Sequence, residues 1–275
     1  DLKSGENHPL AGTKTLNRFS VLPSLLLASC LAGLASGAAG AESRVLSILQ
    51  SIDDNYKLKS DVRASVTLTQ QKPEQGTKVT TMEYSRRDAD DAFLIVMTAP
   101  ENERGNGYLR VGDNFWMYRK NTRTFQHINR DESIGGSDAH GSDFETRKLS
   151  ELYAPALDAA GGELLSEEML GSVPVYRAEV KATVNDVDYP KKIFWTRRDN
   201  NLLLKQESYS QSGTLMQTVY FLKFTVLEGR YIPVKQIFLD EFEKGNKTIV
   251  EISSIVAEKL DDAIFTKAHL ENLSK

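Results

Sequence analysis

The chain of 275 residues has one cysteine, Cys30, four histidines and no excess of basic residues. A single cysteine excludes an internal disulfide and a zinc site built from several cysteines. The formal net charge is −4 at pH 7, so the basic footprint of a nucleic-acid-binding protein is missing. The histidines, His8, His127, His140 and His269, are scattered along the chain. We therefore expect no nucleic-acid partner, no metal and no cofactor.

Apolar residues are present in ordinary amounts. Hydrophobic residues make up 40% of the chain and charged residues 26%, which is the composition of a globular protein with enough apolar mass for a core. The length allows one large domain or two small ones.

Residues 1–41 differ from the rest of the sequence. Lys14 and Arg18 precede the uncharged stretch FSVLPSLLLASCLAGLASGAAGA (19–41). A basic region followed by an apolar one is the layout of a secretory signal. We expect residues 1–41 to be a signal peptide region and the remaining domain, 42–275, to lie in the bacterial periplasm.

Two processing sites fit this leader. Ala-Gly-Ala at 39–41 is a small-x-small cleavage site, whereas Leu-Ala-Ser-Cys at 27–30 is a lipobox that would lipidate Cys30 and anchor the protein to a membrane. The stretch after Cys30 is apolar instead of a polar tether, which favours cleavage after Ala41. An uncleaved anchor is a third alternative, although so many Gly, Ala and Ser residues make a weak membrane-spanning helix.

The hydrophobic period changes soon after the leader. Apolar residues at spacings of three and four predict an amphipathic helix over 43–58, with Ser43 as its N-cap. Strict alternation over 61–70 predicts a strand with one polar face. The loop QKPEQGT (71–77) then predicts a hairpin to a second strand over 78–87.

Turn residues separate the remaining strand-like segments. These segments are 92–100, 107–128, 173–182, 187–196, 201–210, 214–226, 230–242 and 247–260. About ten strands joined as hairpins predict a mainly β, α+β fold with one large, curled antiparallel sheet. A doubly wound α/β fold is excluded because it needs helices between the strands.

Two of these segments are apolar on both faces. They are FLIVM (93–97) and, apart from Lys223, YFLKF (220–224). A strand with one solvated face would alternate, so we expect helices or a ligand to cover both sides. Few helices are available for so large a sheet, which favours a ligand cavity.

The stretch GGSDAHGSDFETRKL (135–149) concentrates chemically active side chains. Ser142 and Glu145 have the spacing of a capping box, in which each side chain bonds to the other residue's backbone N–H. This interpretation predicts a helix that begins at Ser142 and ends before Pro155.

Two chemical alternatives remain open for the same stretch. A hydrolase would use Ser137 or Ser142 as nucleophile, but Ser137, Asp138 and His140 are too close in sequence to form a triad easily. A metal site would combine His140 with Asp138 and Asp143, yet no second histidine is near in sequence. We expect a structural loop and no enzymatic activity.

The segments TAPENERGNGYLRVGDNFWMYRKNTRTFQHI (98–128) and GSDFETRKL (141–149) resemble the outer-membrane lipoprotein-sorting family, the LolA/LolB-like lipoprotein carrier superfamily. The resemblance runs from about residue 45 to residue 270. Its motif positions are Pro100, Arg104, Gly105, Leu109, Trp116, Tyr118, Gly141, Ser142, Asp143, Phe144 and Leu149.

The resemblance implies an unclosed antiparallel β-barrel with an α-helical lid and an apolar cavity that holds acyl chains. It implies a periplasmic lipid or lipoprotein acyl-chain carrier in outer-membrane lipoprotein sorting. Such a carrier exchanges cargo with an inner-membrane transporter complex or an outer-membrane acceptor. The alternative is a non-enzymatic cell-envelope sensing or scaffold module whose own side chains fill the concave face.

Strand parity predicts which residues line the cavity. The expected lining is Val66, Leu68, Met82, Tyr84, Phe93, Ile95, Met97, Leu109, Val111, Trp116 and Tyr118. The lid would consist of the helices that begin at Ser43 and Ser142.

Overall fold

The computed structural model describes residues 42–144 and 147–274. The predicted leader, with both processing sites and Cys30, lies outside the described residues. The chain from Glu42 onward forms one compact unit. Within the described ranges, no helix has the length and hydropathy needed to cross a membrane.

Fourteen strands form one antiparallel sheet in this part of the chain. They are β1 (Val62–Lys72), β2 (Gly76–Arg87), β3 (Ala92–Ala99), β4 (Gly107–Val111), β5 (Asn114–Arg119), β6 (Thr124–His127), β7 (Tyr153–Pro155), β8 (Leu165–Leu170), β9 (Val173–Ala182), β10 (Lys191–Arg197), β11 (Leu203–Tyr209), β12 (Leu215–Leu227), β13 (Arg230–Asp240) and β14 (Lys247–Ala257).

The strand order across the sheet is β6-β5-β4-β3-β2-β1-β14-β13-β12-β11-β10-β9-β7, and β8 also pairs with β9. Among the described residues no pairing joins β6 to β7, so the sheet is not closed. The predicted mainly β, antiparallel fold is confirmed, with more strands than the ten expected.

The predicted hairpin of β1 and β2 is confirmed. Val62, Ala64, Val66 and Leu68 of β1 are all buried on one face of the sheet, as the alternation requires. Val66 pairs with Met82 of β2, which places both side chains on the same face.

The first helix also follows the prediction. Helix α1 (Arg44–Tyr56) buries Val45, Ile48 and Leu49 on the stripe expected from the sequence. The Ser43 hydroxyl accepts a hydrogen bond from the Leu46 N–H at 2.9 Å, so Ser43 is the N-cap.

The single helix expected from Ser142 is wrong. The chain forms a 3-10 turn over Gly141–Phe144 and then a one-turn helix, α2 (Leu149–Leu152). The backbone of Lys148 is extended, with φ −76° and ψ 127°, which separates the two elements. Glu145 lies outside the described residues, so the capping box stays a prediction.

A third helix, α3 (Lys267–Leu273), was not predicted. Thr266 caps it, since its side-chain oxygen accepts a hydrogen bond from the His269 N–H at 3.2 Å. The helix has seven residues, too few for a clear hydrophobic period.

The sheet has two covered faces. We call the face covered by α1 and the segment 128–144 the inner face, and the opposite one the outer face. In β3, Phe93, Ile95 and Met97 pack in the inner core, whereas Leu94 and Val96 pack with the α3 residue Leu270 on the outer face. The prediction that both sides of 93–97 are covered is therefore confirmed.

The same prediction for 220–224 is wrong. Leu222 of β12 is 50% exposed, and Lys223 beside it is also exposed. The β12–β13 pairing shifts register on both sides of Lys223, and such irregularities break the inward and outward alternation of a strand.

Candidate binding cavity

A cavity of about 310 Å³ lies between the inner face and the helices that cover it. Its volume is at the lower end of the range for ligand pockets in proteins. The apolar lining residues come from both the sheet and its cover. They are Ile52, Val66, Tyr84, Phe144, Leu149, Leu152, Tyr153, Val187, Leu203, Val219, Phe221, Ile232, Pro233, Phe238, Val250 and Ile252.

Helix α1 presents a polar atom to this cavity. Ile52 and Tyr56, four residues apart, share a helix face, and both line the cavity. The Tyr56 ring packs edge-on against Phe221, with 6.3 Å between centroids. Its hydroxyl is buried and has no hydrogen-bond partner among the described residues. Burial raises the pKa of Tyr56, so this group is a neutral donor available to a ligand oxygen.

The C-terminal end of α1 is tied to β2 by Arg86. Its Nη2 donates to the Tyr56 carbonyl at 2.8 Å and to the Asp88 carboxylate at 2.9 Å. Asp88 also accepts the Leu58 N–H at 2.7 Å. This pair fixes the chain where α1 ends and holds one end of the cover on the sheet.

Asp53 joins the two covering helices. Its Oδ1 accepts the Leu149 N–H at 2.7 Å, and its Oδ2 accepts the Ser150 N–H at 3.0 Å. Burial raises the pKa of Asp53, while these hydrogen bonds act in the opposite direction. Since the N–H groups are those of the first turn of α2, Asp53 of α1 caps α2.

Of the predicted lining residues, Val66 and Tyr84 lie on the cavity wall. Five others face the same way, on the inner face, but pack in its core under Ile134 and Ala139, which are both 0% exposed. These five are Leu68, Met82, Phe93, Ile95 and Met97. This half of the inner face is filled by the protein's own side chains.

The remaining four predicted lining residues lie on the outer face. Tyr108 pairs with Ile95 and Leu109 with Leu94, and directly paired residues share a face, so Leu109 is opposite to the expected side. The other three residues, in β4 and β5, lie on this same outer face by the alternation of the strands. The four residues that pack with α3 and not in the cavity are Leu109, Val111, Trp116 and Tyr118.

Sequence reasoning missed most of the true lining. Leu203, Val219, Phe221, Phe238 and Val250 line the cavity from β11 to β14. The alternation of Val219 and Phe221 is the available signal. The register shifts of β12 hide it, because they interrupt the alternation in the second half of the strand.

The histidine-containing loop fills one end of the inner face. The Asp138 carboxylate accepts the Thr248 hydroxyl at 2.7 Å, and the Asp138 carbonyl accepts Gln217 Nε2 at 3.0 Å. The Ser137 hydroxyl bonds to the backbone of Ala139. The side chains of Ser137 and Asp138 thus have local structural partners, which supports the structural interpretation of this loop.

Three motif positions form the turn between β3 and β4. The Arg104 N–H donates to the Pro100 carbonyl at 3.0 Å. Gly105 has φ +84°, and its carbonyl accepts the Ser274 hydroxyl at 2.5 Å. The positive φ favours glycine here, and a Cβ at this position would also require the Lys120 side chain, 2.8 Å away, to move.

Three further motif positions belong to the cover, whereas Leu109, Trp116 and Tyr118 lie on the outer face. The Ser142 N–H donates to the Arg130 carbonyl at 2.8 Å, and the Asp143 carboxylate accepts the His140 N–H at 2.8 Å. Phe144 packs against Tyr84 with 6.1 Å between ring centroids. All three side chains line the cavity.

Comparison with known proteins gives the family and the fold. A family model described as an uncharacterized protein matches residues 89–272, more than half of the chain. None of the proteins with curated functions matches the sequence.

Solved structures match over most of the described unit. A LolA superfamily protein from Nitrosomonas europaea aligns with a TM-score of 0.68 and 21% identity. A domain from Vibrio parahaemolyticus named for outer membrane lipoprotein sorting aligns with a TM-score of 0.70 and 18% identity. A DUF1329 family protein from Desulfovibrio piger aligns with a TM-score of 0.71 and 18% identity. Each alignment covers 82% of this chain and 97–98% of the other. The chain therefore belongs to the family matched over residues 89–272, and its fold is similar to the folds of these three proteins.

Proposed function

We propose that the protein is a periplasmic binding and carrier protein for lipid or lipoprotein acyl chains in outer-membrane lipoprotein sorting. The observation that carries the proposal is the apolar cavity between the inner face and its helical cover. An inner-membrane transporter complex and an outer-membrane acceptor are the proposed partners. The leader, residues 1–41, is proposed to direct export.

The energetics suit an acyl ligand. Each methylene moved from water into an apolar cavity contributes ~0.8 kcal/mol, so one long chain supplies most of the affinity without a directed hydrogen bond. Uniform burial also resists release. Cargo exchange therefore requires the cover to move, and we propose that α1 and α2 are the lid.

The alternative is a non-enzymatic sensing or scaffold module of the cell envelope. The filled half of the inner face, where Ile134 and Ala139 occupy the space beside Met97, favours it. On this alternative the remaining cavity binds no lipid, and the protein acts through contacts with other proteins.

Analysis of co-purified lipid tests the two functions. The full chain, expressed with its own leader, is purified without detergent. It is then extracted with organic solvent, and the extract is analysed by mass spectrometry. Stoichiometric acyl species support the carrier. A folded, empty protein that also refuses a fluorescent fatty acid would support the scaffold instead.

Phe221 gives the sharpest variant, because its ring lies on the cavity wall. We expect Phe221→Asp to reduce uptake of a fluorescent fatty acid at least tenfold, since a carboxylate in an apolar cavity is strongly unfavourable. Leu222→Asp is the matched control, because Leu222 is the next residue and is 50% exposed. Circular dichroism checks that both variants are folded, and equal uptake by both would contradict the carrier.

A further inference from the structure

Two arginines converge on one carboxylate at the rim of the cavity. Arg130 follows β6 and Arg147 precedes α2, and both line the cavity. The Nη2 atoms of Arg130 and Arg147 lie 3.3 and 3.0 Å from Asp186 Oδ2. Their Nη1 atoms donate to the Asp186 carbonyl at 2.6 and 2.9 Å.

The Asp186 carboxylate is the most exposed of these three side chains. Its side chain is 60% exposed, whereas those of Arg130 and Arg147 are 31% and 24% exposed. Exposed ion pairs contribute little to stability. Paired guanidinium groups also match the oxygens of a phosphate. The chain's own Asp186 thus occupies a site that suits an external phosphate.

Acidic side chains face the same cavity beside this pair. Asp143 and Asp188 both line it. Asp188 Oδ2 is buried and has no hydrogen-bond partner among the described residues. Buried polar atoms are seldom left without a partner, so this oxygen marks a place for a donor. Burial raises the pKa of Asp143, the charge of Asp188 adds to the rise, and Lys192 opposes it.

The arginine pair with Asp186 and the acidic pair of Asp143 and Asp188 lie near each other in the chain fold. Asp186 and Asp188 are two residues apart, so their Cα atoms are separated by about 7 Å at most. The Arg130 carbonyl accepts the Ser142 N–H, which places Asp143 next to the arginine side. A phosphate and an ammonium separated by two carbons span a comparable distance.

We propose that this rim binds the zwitterionic head group of a phospholipid that carries a phosphate and a primary ammonium, as in phosphatidylethanolamine. Arg130 and Arg147 bind the phosphate in place of Asp186, and Asp188 with Asp143 binds the ammonium. The acyl chains lie in the cavity, so the inference rests on the proposed function and names its ligand class.

Ligands with identical acyl chains test the head-group site. Phosphatidylethanolamine, phosphatidylglycerol, diacylglycerol and a diacylated lipopeptide without phosphate are titrated into the delipidated full chain. We expect phosphatidylethanolamine to bind roughly tenfold more tightly than diacylglycerol, as hydrogen bonds to charged groups provide. Phosphatidylglycerol, which lacks the ammonium, should bind between the two.

Three variants separate the two parts of the site. Arg130→Gln combined with Arg147→Gln should abolish the preference for phosphatidylethanolamine over diacylglycerol. Asp188→Asn should abolish only the preference over phosphatidylglycerol. Asp186→Ala should raise the affinity for both phospholipids several-fold, because it removes the competing carboxylate. Arg123→Gln, at an exposed turn, is the control.

The outcomes distinguish this inference from the function on which it rests. Equal binding of all four ligands would overturn the head-group site and retain the acyl carrier. Tightest binding of the lipopeptide would do the same. Failure of every ligand to bind would overturn the carrier itself. Weaker phospholipid binding by Asp186→Ala would overturn the displacement step, since a merely structural Asp186 gives that result.

Discussion

A single guanidinium group, that of Arg87, ties together three parts of the chain. Its Nε and Nη2 lie 3.0 and 2.9 Å from Asp61 Oδ2, just before β1. Its Nη1 donates to Asp262 at 2.7 Å, and Nη2 also donates to the Leu260 carbonyl at 2.5 Å. The Arg87 side chain is 10% exposed and that of Asp61 is 15% exposed. Removing the Asp61 charge therefore leaves Arg87 with only the exposed carboxylates of Asp90 and Asp262 as ion-pair partners.

Asp61→Asn should lower the free energy of unfolding by about 2 kcal/mol at neutral pH, as for the loss of hydrogen bonds to a charged group, because Arg87 keeps Asp262 as a partner. Burial alone would raise the pKa of Asp61, but hydrogen bonds from Arg87 and the Leu260 N–H lower it below the ordinary 3.8. A carboxyl whose pKa is lower in the folded state stabilises the fold above its unfolded pKa. That stabilisation is lost as the pH falls through the folded value.

Urea unfolding between pH 7 and pH 2.5 measures this effect. The difference between the wild type and Asp61→Asn should shrink as the pH falls below about 4, and comparison of the two curves cancels the other carboxyl groups. Asp113→Asn, at an exposed turn, is the control. A difference that stays constant with pH would contradict the assignment.

At the scale of elements, the sequence predicts what local chemistry determines. Helix α1 and the β1–β2 hairpin have their cap, period and turn residues within a short stretch, and both form as predicted. The face on which Leu109 lies depends on how β4 pairs with β3, which the alternation of β4 alone does not contain. Likewise, α3 exists because the outer face of β3 offers it a surface, a tertiary effect that overrides a short and weak period.

Helix α3 should be essential to the outer core. Leu270 is 0% exposed and packs with Leu94 and Val96 of β3. Leu270→Ala should lower the free energy of unfolding by about 3 kcal/mol through lost burial and the cavity left behind. Leu273→Ala, on the same helix but 53% exposed, should change it by less than about 0.5 kcal/mol. Chemical denaturation measures both, and equal effects would contradict this packing.

At the scale of the molecule, the cavity lies mostly beneath strands other than those predicted to line it. The apolar run 93–97 in β3 was one of the two that predicted a cavity, but its inward side chains, Phe93, Ile95 and Met97, pack in the core with Ile134 and Ala139 of the segment 128–144. The open part lies beneath β11 to β14, where Gln206 and Gln236 share the wall with apolar residues. Hydropathy identifies surface that must be covered, and it does not distinguish a protein side chain from a ligand as the cover.

The hydrogen bonds from α2 to Asp53 should control how α1 and α2 open together. Asp53→Ala removes both hydrogen bonds to the N-terminus of α2, which should cost about 1 kcal/mol, as for a lost helix cap. We expect faster hydrogen exchange at 149–152 and several-fold faster release of a bound fluorescent fatty acid. Asp54→Ala is the control, because it removes a neighbouring charge that also lines the cavity. Identical exchange rates in both variants would exclude this role of Asp53.

The strand order has a consequence for how the chain folds. From β6 to β1 and from β14 to β9, sheet neighbours are consecutive along the chain, so two meanders can form locally. They are joined by one ladder, between the first strand and the last, in which Val62 pairs with Ala257. Contacts so distant in sequence form slowly. Until β14 is synthesised, β1 and β13 both present unpaired edges, and unpaired edges promote aggregation. The nascent chain is therefore most vulnerable before β14 pairs with β1 and β13.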